Sequence, residues 1–181
     1  MKILIWKLKS SLDEFGNART IAMSGMLVAL NVILTFFDIS LSNVLRISFS
    51  FLPLAMGGML YGPVVGGAMG VVGDILGYLA RPDGPFFPGF TLNALLSGAL
   101  YGLFLYKRPV KLKSVIAVSL LITVSINLLL NPVWLSMMYG NAFIVLLTGR
   151  IVKNVIMFPI NTALLFAALK LVERVKIRSN S

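Results

Sequence analysis

Apolar residues run in long blocks along this chain, and polar residues are confined to the gaps between blocks or to narrow stripes within them. Six blocks stand out, at about 18–37, 49–61, 63–80, 90–106, 114–138 and 143–172. Five approach or exceed the ~20 residues a helix needs to cross hydrocarbon. The block 49–61 is shorter and at ~1.5 Å per residue rises only ~20 Å, so a tilted helix or part-span is expected there. Between the second and third blocks stand only Tyr61, Gly62 and Pro63, room for a tight reversal, which predicts a helical hairpin. The opening stretch MKILIWKLKSSLDEF differs, because Ile5, Leu8, Leu12 and Phe15 recur at helical spacing with Lys2, Lys7 and Lys9 among them. That pattern predicts a helix lying in the membrane interface. Its lysines break the apolar run and no small-residue cleavage site follows, so a removable signal peptide is not expected. The expected division is an N-terminal cytoplasmic or interfacial segment, 1–17, a membrane domain of six helices, 18–172, and a basic cytoplasmic tail, 173–181.

Composition sharpens the class. Of 181 residues 58% are hydrophobic and 12% charged, with a mean hydropathy of +0.93. An all-α integral membrane bundle of six transmembrane helices follows. The chain has no cysteine and no histidine, which removes disulfides, thiolate chemistry and the commonest metal ligand and general base. It carries no G-x-x-x-x-G-K-[ST], H-E-x-x-H or G-x-S-x-G and no metal-spaced acids, so neither an enzyme nor a resident cofactor or metal is expected. If such a chain takes part in transport, its energy comes from a gradient or from partner subunits, and the lack of paired inverted repeats weighs against a self-sufficient carrier.

Lys and Arg number 16 against 6 Asp and Glu, and they sit at block ends. That placement signals topology and headgroup contact with the lipid bilayer rather than nucleic acid. Lys2, Lys7, Lys9 and Arg19 at the start, Lys107, Arg108, Lys111 and Lys113 in the fourth connection, and Lys170, Arg174, Lys176 and Arg178 at the end all fall on one side of a six-span arrangement. The positive-inside rule then puts both termini in the cytoplasm of a multi-pass protein of the cell membrane. Arg46, Arg81, Arg150 and Lys153 are left on or near the outer face, where the alternative to function is snorkelling.

Three blocks carry polar stripes. Asn93, Ser97 and Tyr101 share one face, Asn127, Asn131, Trp134 and Met138 a second, and Arg150, Asn154, Met157 and Asn161 a third. Asn93, Asn131, Trp134, Arg150 and Asn154 fall in the outer half of the membrane. Amides facing lipid are costly, so these stripes are expected to face the bundle interior or a cavity. Helix-to-helix hydrogen bonding would account for single asparagines, at about 1 kcal/mol or less each. It would not account for Arg150 at the same depth, beneath the aromatic stretch RPDGPFFPGFTLNALLSG (81–98). Phe86, Phe87 and Phe90 offer flat faces, as does Trp134; the amides offer donors and acceptors; Arg150 offers a fork for carboxylate. Asn131-Pro132 is expected to break the fifth helix and free backbone carbonyls. Together these suit a planar heterocycle with an anionic tail. Asp74 is open between accepting from a ring amine, bonding a neighbouring helix and pairing Arg81. Two small-residue stripes, Ala18, Ala22, Gly25 and Ala29, and Gly66, Gly70, Gly73 and Gly77, permit close helix approach. Internal packing is expected for the second, and either packing or a separate protein's helix for the first.

The stretches LRISFSFLPLAMGGMLYGPVVGG (45–67), PFFPGFTLNALLSG (85–98) and LTGRIVKNVIMFPI (147–160), with the Asn-rich fifth block, resemble the folate-specific substrate-binding S component of energy-coupling factor (ECF) transporters, over about Arg19 to Lys170. The resemblance implies a six-helix vitamin-binding subunit that docks on a transmembrane coupling subunit and a pair of ATPases. It implies ligand contact by Phe86, Phe87, Phe90, Asn93, Arg150 and Asn154. It also implies partner docking at Gly25 and Ala29, where glycine replaces the family's usual first alanine. Folate, with two carboxylates and a flat pterin, agrees with the outer arginines. An S component for another vitamin such as riboflavin, a membrane-embedded enzyme built on Asp74 and Arg150, and a purely structural bundle protein are the alternatives.

Overall fold

The computed structural model describes residues 2–37, 39–40, 46–82, 84–140 and 143–179. Its elements are α1 (Lys2–Asp13), α2 (Ala18–Phe36), α3 (Phe51–Tyr61), α4 (Pro63–Ala80), α5 (Pro88–Leu105), α6 (Leu112–Ile122), a π-helical stretch (Thr123–Leu130), α7 (Asn131–Tyr139) and α8 (Phe143–Ser179). Between α2 and α3 a two-residue antiparallel pair sets Ile39 opposite Ile47 and Ser40 opposite Arg46. Among the described residues five helical spans are long and apolar enough to cross a membrane: α2, α4, α5, the run Leu112–Met138, and Lys153–Val175 of α8; α3 is a shorter apolar helix. Apart from that short strand pair, the described residues form a helical membrane bundle. The short second block is a short helix, and α8 continues past 172 because VERVKIRS contains no Gly or Pro to stop it.

Glycine sets the closest packing, between α4 and α5. A methyl group at Gly98 would overlap the backbone carbonyl of Gly66, one at Gly70 the carbonyl of Ala94, and one at Gly102 the backbone of Pro63. The expected internal role of the α4 stripe is therefore seen at Gly66 and Gly70, while Gly73 abuts the Asn31 side chain of α2. The α2 stripe is different. Ala18, Ala22, Gly25 and Ala29 are exposed, and a methyl at Gly25 would meet nothing within 4 Å. Deeper in the bundle Leu54, Met59, Val65, Tyr101, Leu105, Val118, Ile122, Leu165 and Leu169 form the core.

The hairpin at Gly62 explains how α1 is held. Gly62 adopts φ of 93°, a left-handed-side conformation open to glycine, and it has no side chain to cap α4. Ser11 of α1 does so instead: its Oγ donates to Tyr61 O (2.8 Å) and accepts from Val64 N (3.0 Å) and Val65 N (3.3 Å). Lys7, only 4% exposed, donates from Nζ to Leu103 O at 2.7 Å. Burial lowers its pKa from the ordinary lysine value, and Arg108 lowers it further. So α1 turns Lys7 and Ser11 onto the bundle and leaves Leu4, Ile5, Trp6, Leu8 and Leu12 exposed, as is Phe15 just beyond it, the arrangement of a helix resting in apolar surroundings. The last turns of α8 lie at the same end, where Glu173 accepts from Val110 N (2.8 Å) and pairs with Lys170 (2.8 Å).

The fifth span is not broken at Pro132. Proline cannot donate to the preceding turn and its ring crowds the carbonyl there. The chain widens ahead of it into the π-helical stretch, in which Asn131 N donates to Ile126 O, five residues back. The expected break is thus a change of helical pitch within a continuous span.

Candidate ligand-binding site

At the end of the bundle away from α1, the helices part around a cavity of about 900 Å³. Its volume lies in the range of small-molecule pockets. Asn31 and Thr35 of α2, Asp74, Tyr78 and Arg81 at the far end of α4, the 85–90 segment, Thr123 and Asn127 of the π stretch, and Arg150, Asn154 and Asn161 of α8 all contribute walls.

The aromatic stretch before α5 is built as a cluster. Phe87 contacts Phe90 edge-on with centroids 6.1 Å apart, and Trp134 at 5.8 Å. Phe86 meets Tyr78 at 5.2 Å, and Tyr78 Oη donates to Gly84 O (3.1 Å), tying the loop to α4. Gly89 is buried between the Phe87 and Trp134 rings, where a methyl would strike both. Loop, α5 and α7 are thereby joined.

Of the residues expected at a ligand site, Phe86, Phe87, Phe90, Arg150 and Asn154 line the cavity. Asn93, Asn131 and Trp134 stand behind that wall in a hydrogen-bond chain. Asn93, 6% exposed, donates from Nδ2 to Asn131 Oδ1 (2.9 Å) and accepts at Oδ1 from Trp134 Nε1 (3.1 Å), and Asn131 Nδ2 donates on to Asn127 Oδ1 (3.3 Å). Asn127, at the end of the chain, reaches the cavity. This is the satisfied arrangement that buried amides require, and it cross-links α5 to α7. Asn154 also bonds within its helix, donating to Arg150 O at 2.9 Å. Gly25 and Ala29 lie on the outward face of α2 and take no part in the cavity.

Asp74 bonds a neighbouring helix rather than Arg81: Thr91 Oγ1 of α5 donates to its Oδ2 at 2.7 Å, while Arg81 Nη1 donates to Thr35 O (3.1 Å). The Arg46 side chain lies outside the described residues. Several lining residues escaped the sequence reading, notably Asn31, Thr35, Ser48, Ser50, Ser119, Thr123 and Thr162. Asn31 carried a usable signal, a lone amide within an apolar block. The hydroxyls did not, because Ser and Thr bond their own helix at little cost; Ser97, donating to Asn93 O at 2.8 Å, does so here.

Fold and cavity together define a class: a membrane-embedded helical bundle holding a polar, small-molecule-sized chamber near one end. Within that class the family described as "ECF transporter, substrate-specific component" matches residues 19–169, and the chain belongs to it. Helix α1 precedes the matched range. Among curated relatives, the folate transporter FolT of Clostridium novyi (strain NT) is 40% identical over 151 residues, covering 83% of this chain and 88% of the relative. The folate transporter FolT of Leuconostoc mesenteroides subsp. mesenteroides is 32% identical over 155 residues, covering 82% and 83%. A solved structure described as FolT bound with folic acid superposes with a TM-score of 0.76 at 41% identity, covering 83% of this chain and 92% of that one.

Proposed function

We propose that this chain is the folate-binding subunit of an ECF-type uptake transporter, taking folate from the outer face and relying on a coupling subunit and a pair of ATPases to move it. The observation that carries this reading is the cavity itself, with phenyl faces, amides and Arg150 around one chamber, in a chain 41% identical to a FolT solved with folic acid. Flat apolar faces accept a pterin, and a guanidinium accepts a carboxylate. Phe86, Phe87, Phe90, Arg150 and Asn154 are assigned direct contact. Asn93, Asn131 and Trp134 hold the wall from behind.

The proposed orientation places both termini in the cytoplasm. It rests on the positive-inside count together with the position of α1 and the end of α8 opposite the cavity mouth. The proposed organisation keeps 1–17 as an interfacial segment, 18–172 as the membrane domain and 173–181 as the tail. The outward α2 stripe at Gly25 and Ala29 is the proposed docking face for the coupling subunit.

Equilibrium binding of labelled folate to the purified chain, with riboflavin, thiamine and other vitamins as competitors, tests the reading. Saturable binding displaced by unlabelled folate alone is expected. Displacement by riboflavin instead, or no saturable binding, would overturn it.

A further inference from the structure

Helix α1 precedes the stretch that the family matches, yet Lys7 and Ser11 fasten it to the bundle. At about 100° per residue it has three sides. Lys7, Ser10 and Ser11 face the bundle, and Leu4, Ile5, Leu8 and Leu12 form an exposed apolar side. The third side carries Trp6, 53% exposed, with Lys9 one turn on and Asp13 beyond it. A basic turn adjoins that side. Lys107 adopts φ of 52°, a left-handed conformation uncommon for a residue with a side chain. Its Nζ donates to Ser10 Oγ (2.6 Å) and stands 4.9 Å from the centre of the Trp6 ring. Arg108 follows, exposed and close enough to Lys7 for the two charges to repel. Glu173 shares a cleft with Arg108, but it already accepts from Val110 N and Lys170 Nζ.

We propose that the Trp6 side of α1 and the Lys107–Arg108 turn form a binding site for an anionic phospholipid. Lys9 and Arg108 meet the headgroup phosphate, the Trp6 ring lies at headgroup level, and the side bearing Leu8 and Leu12 rests against acyl chains. Lys107, already engaged by Ser10 and the ring, holds Trp6 in place. Charge selects the lipid, because Lys9, Lys107 and Arg108 outnumber Asp13 around the indole. A coupling-subunit helix is a poorer occupant, since bulky leucine and isoleucine without a small-residue stripe keep a second helix at a distance. The inference rests on the interfacial reading of residues 1–17.

The test uses the intact chain reconstituted in bilayers of phosphatidylcholine and phosphatidylglycerol, with one or the other lipid brominated on its acyl chains. Tryptophan quenching is read in wild type and in Trp6→Phe, and the difference isolates Trp6 from Trp134. At equal mole fraction, brominated phosphatidylglycerol should be enriched at Trp6 by about three- to tenfold over brominated phosphatidylcholine. Salt at about 1 M, where the screening length falls to about 3 Å, should remove most of that preference. Millimolar inorganic phosphate should not, because it lacks acyl chains; competition by phosphate would reduce the site to an anion site and overturn the lipid assignment. Lys9→Gln combined with Arg108→Gln should bring the two lipids within about twofold of each other, while either still quenches Trp6 and so shows α1 seated in the bilayer. Equal quenching of wild type by the two lipids overturns the proposal and leaves the interfacial reading standing. Quenching by aqueous iodide and by neither lipid sinks both. A Trp6 with no anionic preference that loses lipid contact when the coupling subunit is added gives the face to that protein, and overturns the proposal as well.

Discussion

Arg150 lines a chamber walled by amides and rings, so a carboxylate reaching it exchanges water for a fork of donors in surroundings of low dielectric constant. Arg150→Ala is expected to weaken folate binding by about 1.5–3 kcal/mol. Lys107 makes a control of the same charge. Its Nζ lies at the opposite end, bonded to Ser10 Oγ (2.6 Å) and over the Trp6 ring (4.9 Å), and Lys107→Ala should leave binding unchanged. Isothermal titration on both variants decides the matter, and equal losses with the fold intact would remove Arg150 from the site. Asn93 carries a different kind of cost. Its removal leaves Trp134 Nε1 without its acceptor and Asn131 Oδ1 without the Asn93 donor behind the wall, so Asn93→Ala should destabilise the protein by about 1–3 kcal/mol. A thermal midpoint in detergent indistinguishable from wild type would mean the chain of amides contributes nothing.

Helices α4 and α5 touch backbone to backbone because glycines face one another at Gly66 and Gly98. Any Cβ forces the pair apart, and α5 carries the aromatic loop at its start, so the separation would spread into the cavity wall. Gly98→Val should cost about 1–3 kcal/mol or more through overpacking and lower folate affinity as well. A melting curve and a binding isotherm on that variant check both effects, and unchanged values in both would refute the account. Helix α1 and Ser11 show a related economy. The α3–α4 reversal needs glycine at position 62, glycine cannot cap a helix with a side chain, and a hydroxyl from another helix meets that need.

At the scale of the whole molecule, the cavity and the open α2 stripe are separate surfaces, which predicts that binding and transport can be uncoupled. Gly25→Leu and Ala29→Leu place bulk on an outward face, where a methyl at Gly25 meets nothing in the chain itself. Folate binding by these variants should match wild type, while uptake by cells carrying the full transporter should fall. Normal uptake with either variant would exclude that face as the docking surface.

The sequence by itself determined the class and the apolar helical blocks, because lipid permits few structures and apolar block length reports them directly. It also located the polar stripes, since an amide in an apolar block is conspicuous. Which stripe residues reach the cavity was decided by tertiary structure. Asn93, Asn131 and Trp134 have the same spacing and depth as Arg150 and Asn154, but they saturate one another across α5 and α7. Helical periodicity fixes a residue's face, not the partner standing opposite. Pro132 gives the same lesson, because proline forbids one hydrogen bond and only the surrounding bundle selects between a break and a wider helical turn. The lining hydroxyls of Ser48, Ser119, Thr123 and Thr162 were equally hidden, since their meeting across several helices is a property of the packed fold.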